Sequence, residues 1–281
     1  MDELKKYFIA ANYEAALAVG ETLLDQPLSA HDRRHVLYRC TLCARYLEQP
    51  ALILKYYKLY SEQMPAVATI EQQIPFLHCK LAILFFIKQQ DEALKLADSL
   101  LTTIKNMPNL LDYIYIYAAT LHYKLLHFLD TGHYMEAVKT YNELGESMIE
   151  ALEVSVPVLS LQIHGHLTSA YLRLSQWRTA HELVQAMTQI SWIDDAPLVK
   201  PHLLIRQNLL QHILEGIPLS FEDNEALFLA CQPMSRIALS VFLGDIAAMQ
   251  VIAPDIAPLY TEWQRYLTDT PASTELTAYL M

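Results

Sequence analysis

One alanine recurs in the same local setting five times between residues 16 and 180, and that recurrence limits the fold more than any other feature of the chain. It is Ala16 in "ANYEAALAV", Ala51 in "LEQPALILKYY", Ala93 in "KQQDEALKLA", Ala137 in "TGHYMEAVKTYNEL" and Ala180 in "SQWRTAHELV", at steps of 35, 42, 44 and 43 residues. Nine residues before each stands a large apolar residue, Tyr7, Leu42, Leu84, Phe128 and Tyr171. Seven residues after come Leu23, Lys58, Leu100, Leu144 and Met187, and three before come Tyr13, Glu48, Gln90, Tyr134 and Trp177. A period of roughly 34 to 47 residues denotes a stacked helical repeat. The small residue lets the second helix of a pair approach the first, and the large ones fill the space on either side. No single pair can bury its whole apolar face, so each must stack on the next.

The rest of the chain reads as helix. Windows such as "EALKLADSLLTTIKNM" and "AHELVQAMTQI" step their apolar residues by three and four, the signature of one buried helical face. Prolines such as Pro50, Pro75, Pro157 and Pro254 fall between such windows, where they start or stop helices. "DYIYIY" alternates like a strand but runs into "AATLHYKLLHFL" without a turn signal, and is read as helix with Tyr113 and Tyr117 on one face. Residues 1–192 carry about five pairs. Beyond them "KPHLLIRQNLLQHILEGIP" reads as one long helix, and "LGDIAAMQ" as a degenerate echo of the repeat. The expectation for 193–281 is therefore degenerate repeats and capping helices of the same solenoid, since terminal units must present a polar outer face.

Composition removes several classes of function. The formal charge is -11 and the sequence pI about 5.4, and short basic runs such as "DELKK" and "HDRR" are isolated, so no cluster is present to displace counterions from nucleic acid. The longest strongly apolar stretch, "KLAILFFIK", is too short to span a bilayer. The N-terminal run is interrupted by Asn12, Glu14 and Glu21, unlike a secretory signal. Four Cys without framework spacing fit a reducing compartment. The expectation is a cytoplasmic protein that binds neither nucleic acid nor membrane.

Gly132, Tyr134 and Ala137, then Tyr13 with Ala16 and Trp177 with Ala180, resemble the tetratricopeptide repeat family, whose units join two antiparallel helices with a Gly-x-Tyr-x-x-Ala signature at the turn. The resemblance covers residues 1 to about 192. The signature Gly occurs once among the five copies, and the steps exceed the family's common 34 residues. The longer spacing looks like the extended repeats of bacterial regulators of this superfamily, including intracellular peptide-pheromone receptors. Many of those carry an N-terminal helix-turn-helix, and the expectation here is that none is present, because the first repeat starts near Met1. The fold implied is all-α, a right-handed superhelix of stacked antiparallel helix pairs.

Candidate chemistry is sparse. "HDRRH" sets His31 and His35 one helical turn apart, as in a zinc protease helix, but Asp32 stands where a longer Glu would be the base. Those histidines are read as the solvated first turn of a helix. Cys40 and Cys43 have CxxC spacing, and His78 with Cys79 could add ligands from the next repeat. Zinc and redox motifs occupy knuckles and helix N-termini, whereas this pair lies mid-helix, so the thiols are read as packing residues, with the zinc content of the purified protein as the discriminating measurement. "HGH" puts His164 and His166 on different sides of a helix. Neither a Gly-rich phosphate loop nor a G-x-S-x-G elbow occurs. The expectation is no catalytic residue, no metal and no cofactor.

In the tetratricopeptide family the first helix of each pair lines a concave groove that holds a peptide. Carried over by the alanine register, the groove positions are Arg33, Cys40, Cys43, His78, His122, Gln162, Ser169 and Arg173. Of these, Arg33, His78, His122, Gln162, Ser169 and Arg173 are the candidate binding residues, because a peptide backbone needs donors and acceptors to replace its water contacts. The competing reading is that they form the solvated face of each helix. The tyrosines of "KYYKLY" and "DYIYIY" suit interfaces, though aromatics also fill repeat cores. The function expected is a non-enzymatic scaffold or adaptor that binds a protein or peptide. The alternative is a cytoplasmic receptor-regulator for a short signalling peptide, lacking a DNA-binding domain. A homodimer through the C-terminal helices is the oligomer this reading allows.

Overall fold

The three- and four-residue apolar steps are realised as helix throughout. The computed structural model describes residues 1–9, 12–191, 193, 199–230, 236–267 and 279, with backbone alone at 236–238. Among these, every regular element is an α-helix or a 3-10 turn. Two compact units divide the chain, Met1–Pro108 with Thr270–Met281 and Asn109–Asp269. The first unit holds α1 (Asp2–Ile9), α2 (Tyr13–Leu24), α3 (Ala30–Tyr46), α4 (Pro50–Glu62), α5 (Ile70–Phe86) and α6 (Gln90–Lys105). The second holds α7 (Ile114–Asp130), α8 (Tyr134–Asn142), α9 (Glu146–Ser155), α10 (Pro157–Arg173) and α11 (Trp177–Thr188). It continues with α12 (Lys200–Glu215), α13 (Phe221–Ala230), α14 (Arg236–Gln250) and α15 (Ala257–Gln264). No helix among the described residues is long and apolar enough to cross a membrane.

The repeat is visible in the backbone. At five joints the residue before the second helix of a pair donates its N–H to a carbonyl five residues back. The bonds are Asn12 to Tyr7 (3.0 Å), Gln49 to Ala44 (3.0 Å), Gln89 to Leu84 (2.9 Å), His133 to Phe128 (2.8 Å) and Gln176 to Tyr171 (2.9 Å). The carbonyl of that same residue then accepts from the fourth residue of the next helix, Ala16, Ile53, Ala93, Ala137 or Ala180. This bond satisfies a carbonyl that a helix end would otherwise leave without a partner, and at the four joints whose residue before the donor is described, that residue is left-handed. Gly132 supplies that residue at φ 80°, and Glu48, Lys88 and Ser175 adopt it at 53°, 62° and 59°. The signature Gly is thus absent from three joints whose geometry is kept.

One register is corrected. Ala51 is exposed, and the buried joint residue of the second copy is Ile53. Pro50 opens α4 as its first residue, its fixed φ suiting that position, and so the fourth residue falls at 53. The sequence pattern favoured the nearest Ala over an Ile that does the same packing.

Non-Gly residues pay a steric cost in the left-handed region. Lys88→Gly and Ser175→Gly are each expected to stabilise the fold by about 0.5–1 kcal/mol, the relief outweighing the extra chain entropy of Gly. Urea midpoints of the two variants check this, and an unchanged or lowered midpoint would show that these residues carry no strain.

Packing is between neighbours. In the first unit α3 lies against α1, α2, α4 and α5, and α5 against α4 and α6. Tyr56, Tyr57 and Tyr60 of "KYYKLY" are buried with Leu37, Ile53 and Ile74, so these tyrosines are core. Pro75 sits inside α5, not between helices as its spacing suggests. The carbonyl its missing N–H would have bonded belongs to Glu71, on the exposed first turn, where solvent is available to replace the lost partner. The first turn is also tied by the Gln72 side chain, whose Oε1 accepts from the Thr69 N–H at 3.1 Å. "DYIYIY" is helical, divided into a 3-10 turn at Leu110–Tyr113 and the start of α7.

In the second unit α10 is central, packed by α7, α8, α9, α11 and α14, while α14 also lies against α7. The helices of 199–267 share one core with α10 and α11, in which Leu161, Leu172 and Val184 meet Leu203, Phe228, Phe242 and Trp263. Phe228 and Trp263 stack at 4.5 Å, and the indole N–H donates to Glu225 at 2.6 Å.

Candidate functional site

On α10 the residues Gln162, His166, Ser169 and Arg173 follow one another by four, three and four positions, which aligns them along one helical face. The other faces of α10 are fixed by burial of Leu161, Ile163, Leu167, Ala170 and Leu172. The polar stripe is therefore held in place by the core beneath it. α7 brings His122 to it, α8 Tyr134, α12 Arg206 and α14 Asp245.

The C-terminal half of the stripe is filled by α14. Asp245, wholly buried, accepts from Ser169 Oγ at 2.7 Å, from Arg206 Nη2 at 2.7 Å and Nε at 3.1 Å, and from Arg173 Nε at 3.3 Å. Arg206 also donates to Ser169 at 3.1 Å, and Arg173 to the Val241 carbonyl at 2.9 Å and the Tyr134 hydroxyl at 3.2 Å. Gly244 makes the approach possible, since a Cβ there would stand 1.8 Å from Arg173 Nη2. Two guanidinium groups thus share one carboxylate, the only one paired with either among the described residues.

The N-terminal half of the stripe is only partly open. Gln162, His166 and His202 are each half-buried. His166 Nε2 lies 3.0 Å from His122 Nδ1, one of the two rings donating and the other accepting. His202 meets the ring of Phe242 edge-on at 5.3 Å, and the Arg206 guanidinium lies over that same ring at 5.0 Å. Burial, with the charge of Arg206 added, holds the His202 imidazole down to about 3. Burial pushes His166 well below the usual histidine range, helped by His122 and Arg206. These two rings are neutral at neutral pH. His166 Nδ1, both ring nitrogens of His202 and Arg206 Nη1 have no hydrogen-bond partner among the described residues.

Of the residues read from the sequence, His122, Gln162, Ser169 and Arg173 come together in the second unit. Ser169 and Arg173 are already engaged by α14, and His122 and Gln162 border the open half. Arg33 and His78 belong to the first unit. Arg33 Nη1 donates to the Leu24 carbonyl at 3.3 Å and so closes the end of α2. His78 is fully buried, its Nδ1 bonded to the Tyr38 hydroxyl at 2.9 Å. Cys40, Cys43 and Cys79 are buried too, and desolvation drives all three thiols up, Cys43 to about 12. That disfavours the thiolate a metal or redox role needs. Among the described residues no three His, Cys, Asp or Glu side chains are grouped to hold a metal. His31 and His35 lie 4.5 Å apart, ring to ring, beside Asp32 on an exposed turn.

The sequence reading weighed His166 only beside His164 in "HGH", and missed His202, Arg206 and Asp245. Arg206 in "LLIRQNLL" and Asp245 in "VFLGDIAAM" are lone charges within apolar helical runs. Two such charges of opposite sign are the legible signal of a buried pair. Comparison with family models, with curated proteins and with solved structures gives no match.

Proposed function

We propose that the chain is a non-enzymatic, tetratricopeptide-like repeat protein, its helix pairs stacked as a right-handed solenoid, that holds a peptide or a protein partner on the first helices of its pairs. The observation that carries this reading is the backbone joint repeated five times with one hydrogen-bond pattern. A stack of such pairs offers successive first helices side by side, a surface suited to an extended or helical ligand. On α10 the half that α14 leaves uncovered presents Gln162 and His166, with His202 and Arg206 beside them.

Panning the immobilised chain with a random-peptide phage library, followed by calorimetry on synthetic peptides, tests the reading. Micromolar binding of selected peptides that is weakened by Gln162→Ala or His166→Ala supports it. Failure to enrich any peptide, or binding indifferent to both substitutions, overturns the assignment of this surface. A short peptide that also compacts the protein in solution scattering supports the receptor form of the reading.

A further inference from the structure

The open half of the α10 stripe borders a charge left unbalanced among the described residues, and we propose that it is a recognition site for a carboxylate group of the bound peptide, held by Arg206 with His166 and His202. This deepens the proposed function and rests on its reading of the α10 face as a binding surface.

Arg173 and Arg206 are mostly buried, at 17% and 9% side-chain exposure, and together they face the single carboxylate of Asp245. A buried cation left without its counter-charge is costly unless a second anion reaches it. The surplus is a single charge, which matches a carboxylate and falls short of a phosphate dianion. Asp245 spends its two oxygens on Arg206 Nε and Nη2, Ser169 and Arg173, so it leaves Arg206 Nη1 to an outside acceptor.

The donors beside that nitrogen suit the same ligand. Arg206 Nη2 touches Ser169, three positions along α10 from His166, and Arg206 shares the Phe242 ring with His202. A neutral imidazole offers one N–H donor without adding charge, and at His166 that donor is Nδ1–H when Nε2 accepts from His122 Nδ1–H. A guanidinium edge with such donors on the neighbouring helix turns is suited to binding a carboxylate through charge-assisted bonds. Gln162, one turn before His166, adds an amide within reach of the peptide backbone that carries the group.

Histidine side-chain NMR on the intact protein, titrated with sodium acetate at constant ionic strength, tests the site. Saturable shifts of the His166 and His202 resonances are expected. Arg206→Met leaves Asp245 and Arg173 as a balanced pair, so it is expected to fold and to weaken acetate binding about tenfold or more. Arg173→Met removes the surplus from the other side and is expected to weaken it in the same direction. Two blocked tripeptides, one with its only carboxylate at the C-terminus and one with it on a glutamate side chain, show which source the site prefers, and tighter binding of either than of acetate supports the proposal. Absence of saturable shifts with all three probes, or tighter binding of inorganic phosphate than of acetate, overturns it. Library peptides that bind while acetate does not would sink the carboxylate site and leave the peptide-binding reading standing.

Discussion

Asp245→Asn is expected to cost the second unit about 3–5 kcal/mol, the penalty for leaving buried cations without their partner. The wild-type carboxylate is wholly buried and is reached by Ser169, Arg173 and Arg206. An amide of the same shape keeps one acceptor oxygen but turns the other position into a donor that faces guanidinium groups. Both arginines then remain enclosed, Arg173 pinned to the Val241 carbonyl and Arg206 over Phe242. The measurement is direct because Trp177, Trp192 and Trp263 all lie within Asn109–Asp269, so tryptophan fluorescence reports the second unit alone. A urea midpoint shifted by less than about 1 kcal/mol would mean that the cost of desolvating the carboxylate already cancels its attraction.

Acid is expected to weaken the first unit through His78. The ring is fully buried and desolvation holds it down to about 3, against roughly 6.5 in an unfolded chain. The folded value lies below the unfolded one, so the unfolded chain takes up a proton that the folded chain refuses. Stability from this residue is complete above about pH 6.5 and falls by about 1.4 kcal/mol for each pH unit below it, reaching a loss of about 2 kcal/mol at pH 5. His78→Gln, which keeps a polar group facing Tyr38 but cannot titrate, is expected to shrink the stability difference between pH 7 and pH 5 by that amount. Amide exchange in α3 and α5 at the two pH values provides the readout. An identical pH response in the two proteins would show that His78 is not the proton acceptor.

The helices were legible because their signal is local. Apolar steps of three and four, with prolines such as Pro50 and Pro157 at first positions, give the elements directly. The joints were legible in four copies and displaced in the second, because a pattern keyed to Ala cannot see Ile53 doing the same packing. The left-handed residues were hidden for a related reason. Glu48, Lys88 and Ser175 have none of the conformational freedom that makes Gly132 conspicuous, yet the hydrogen bonds around them impose the same φ.

The site was half legible. His122, Gln162, Ser169 and Arg173 emerged from repeat register alone, since each lies on a first helix. What register could not supply was the occupant of that face. Asp245 and Arg206 meet across 39 residues, a separation no local periodicity reaches. Register also placed the fully buried His78 among the binding residues, because it reports which helix a side chain belongs to and not whether its neighbours cover it.

The five joints are made of main-chain donors and acceptors, so nothing in them depends on how much chain lies between one and the next. α9 shows the consequence, a whole helix lodged between the fourth and fifth joints while both keep the same bonds. Each joint is therefore a seam. Segments between joints can differ in their number of helices, as these do, or be exchanged for another copy, and the turn will still close on itself. Links of different make-up can follow one another because every rivet is alike.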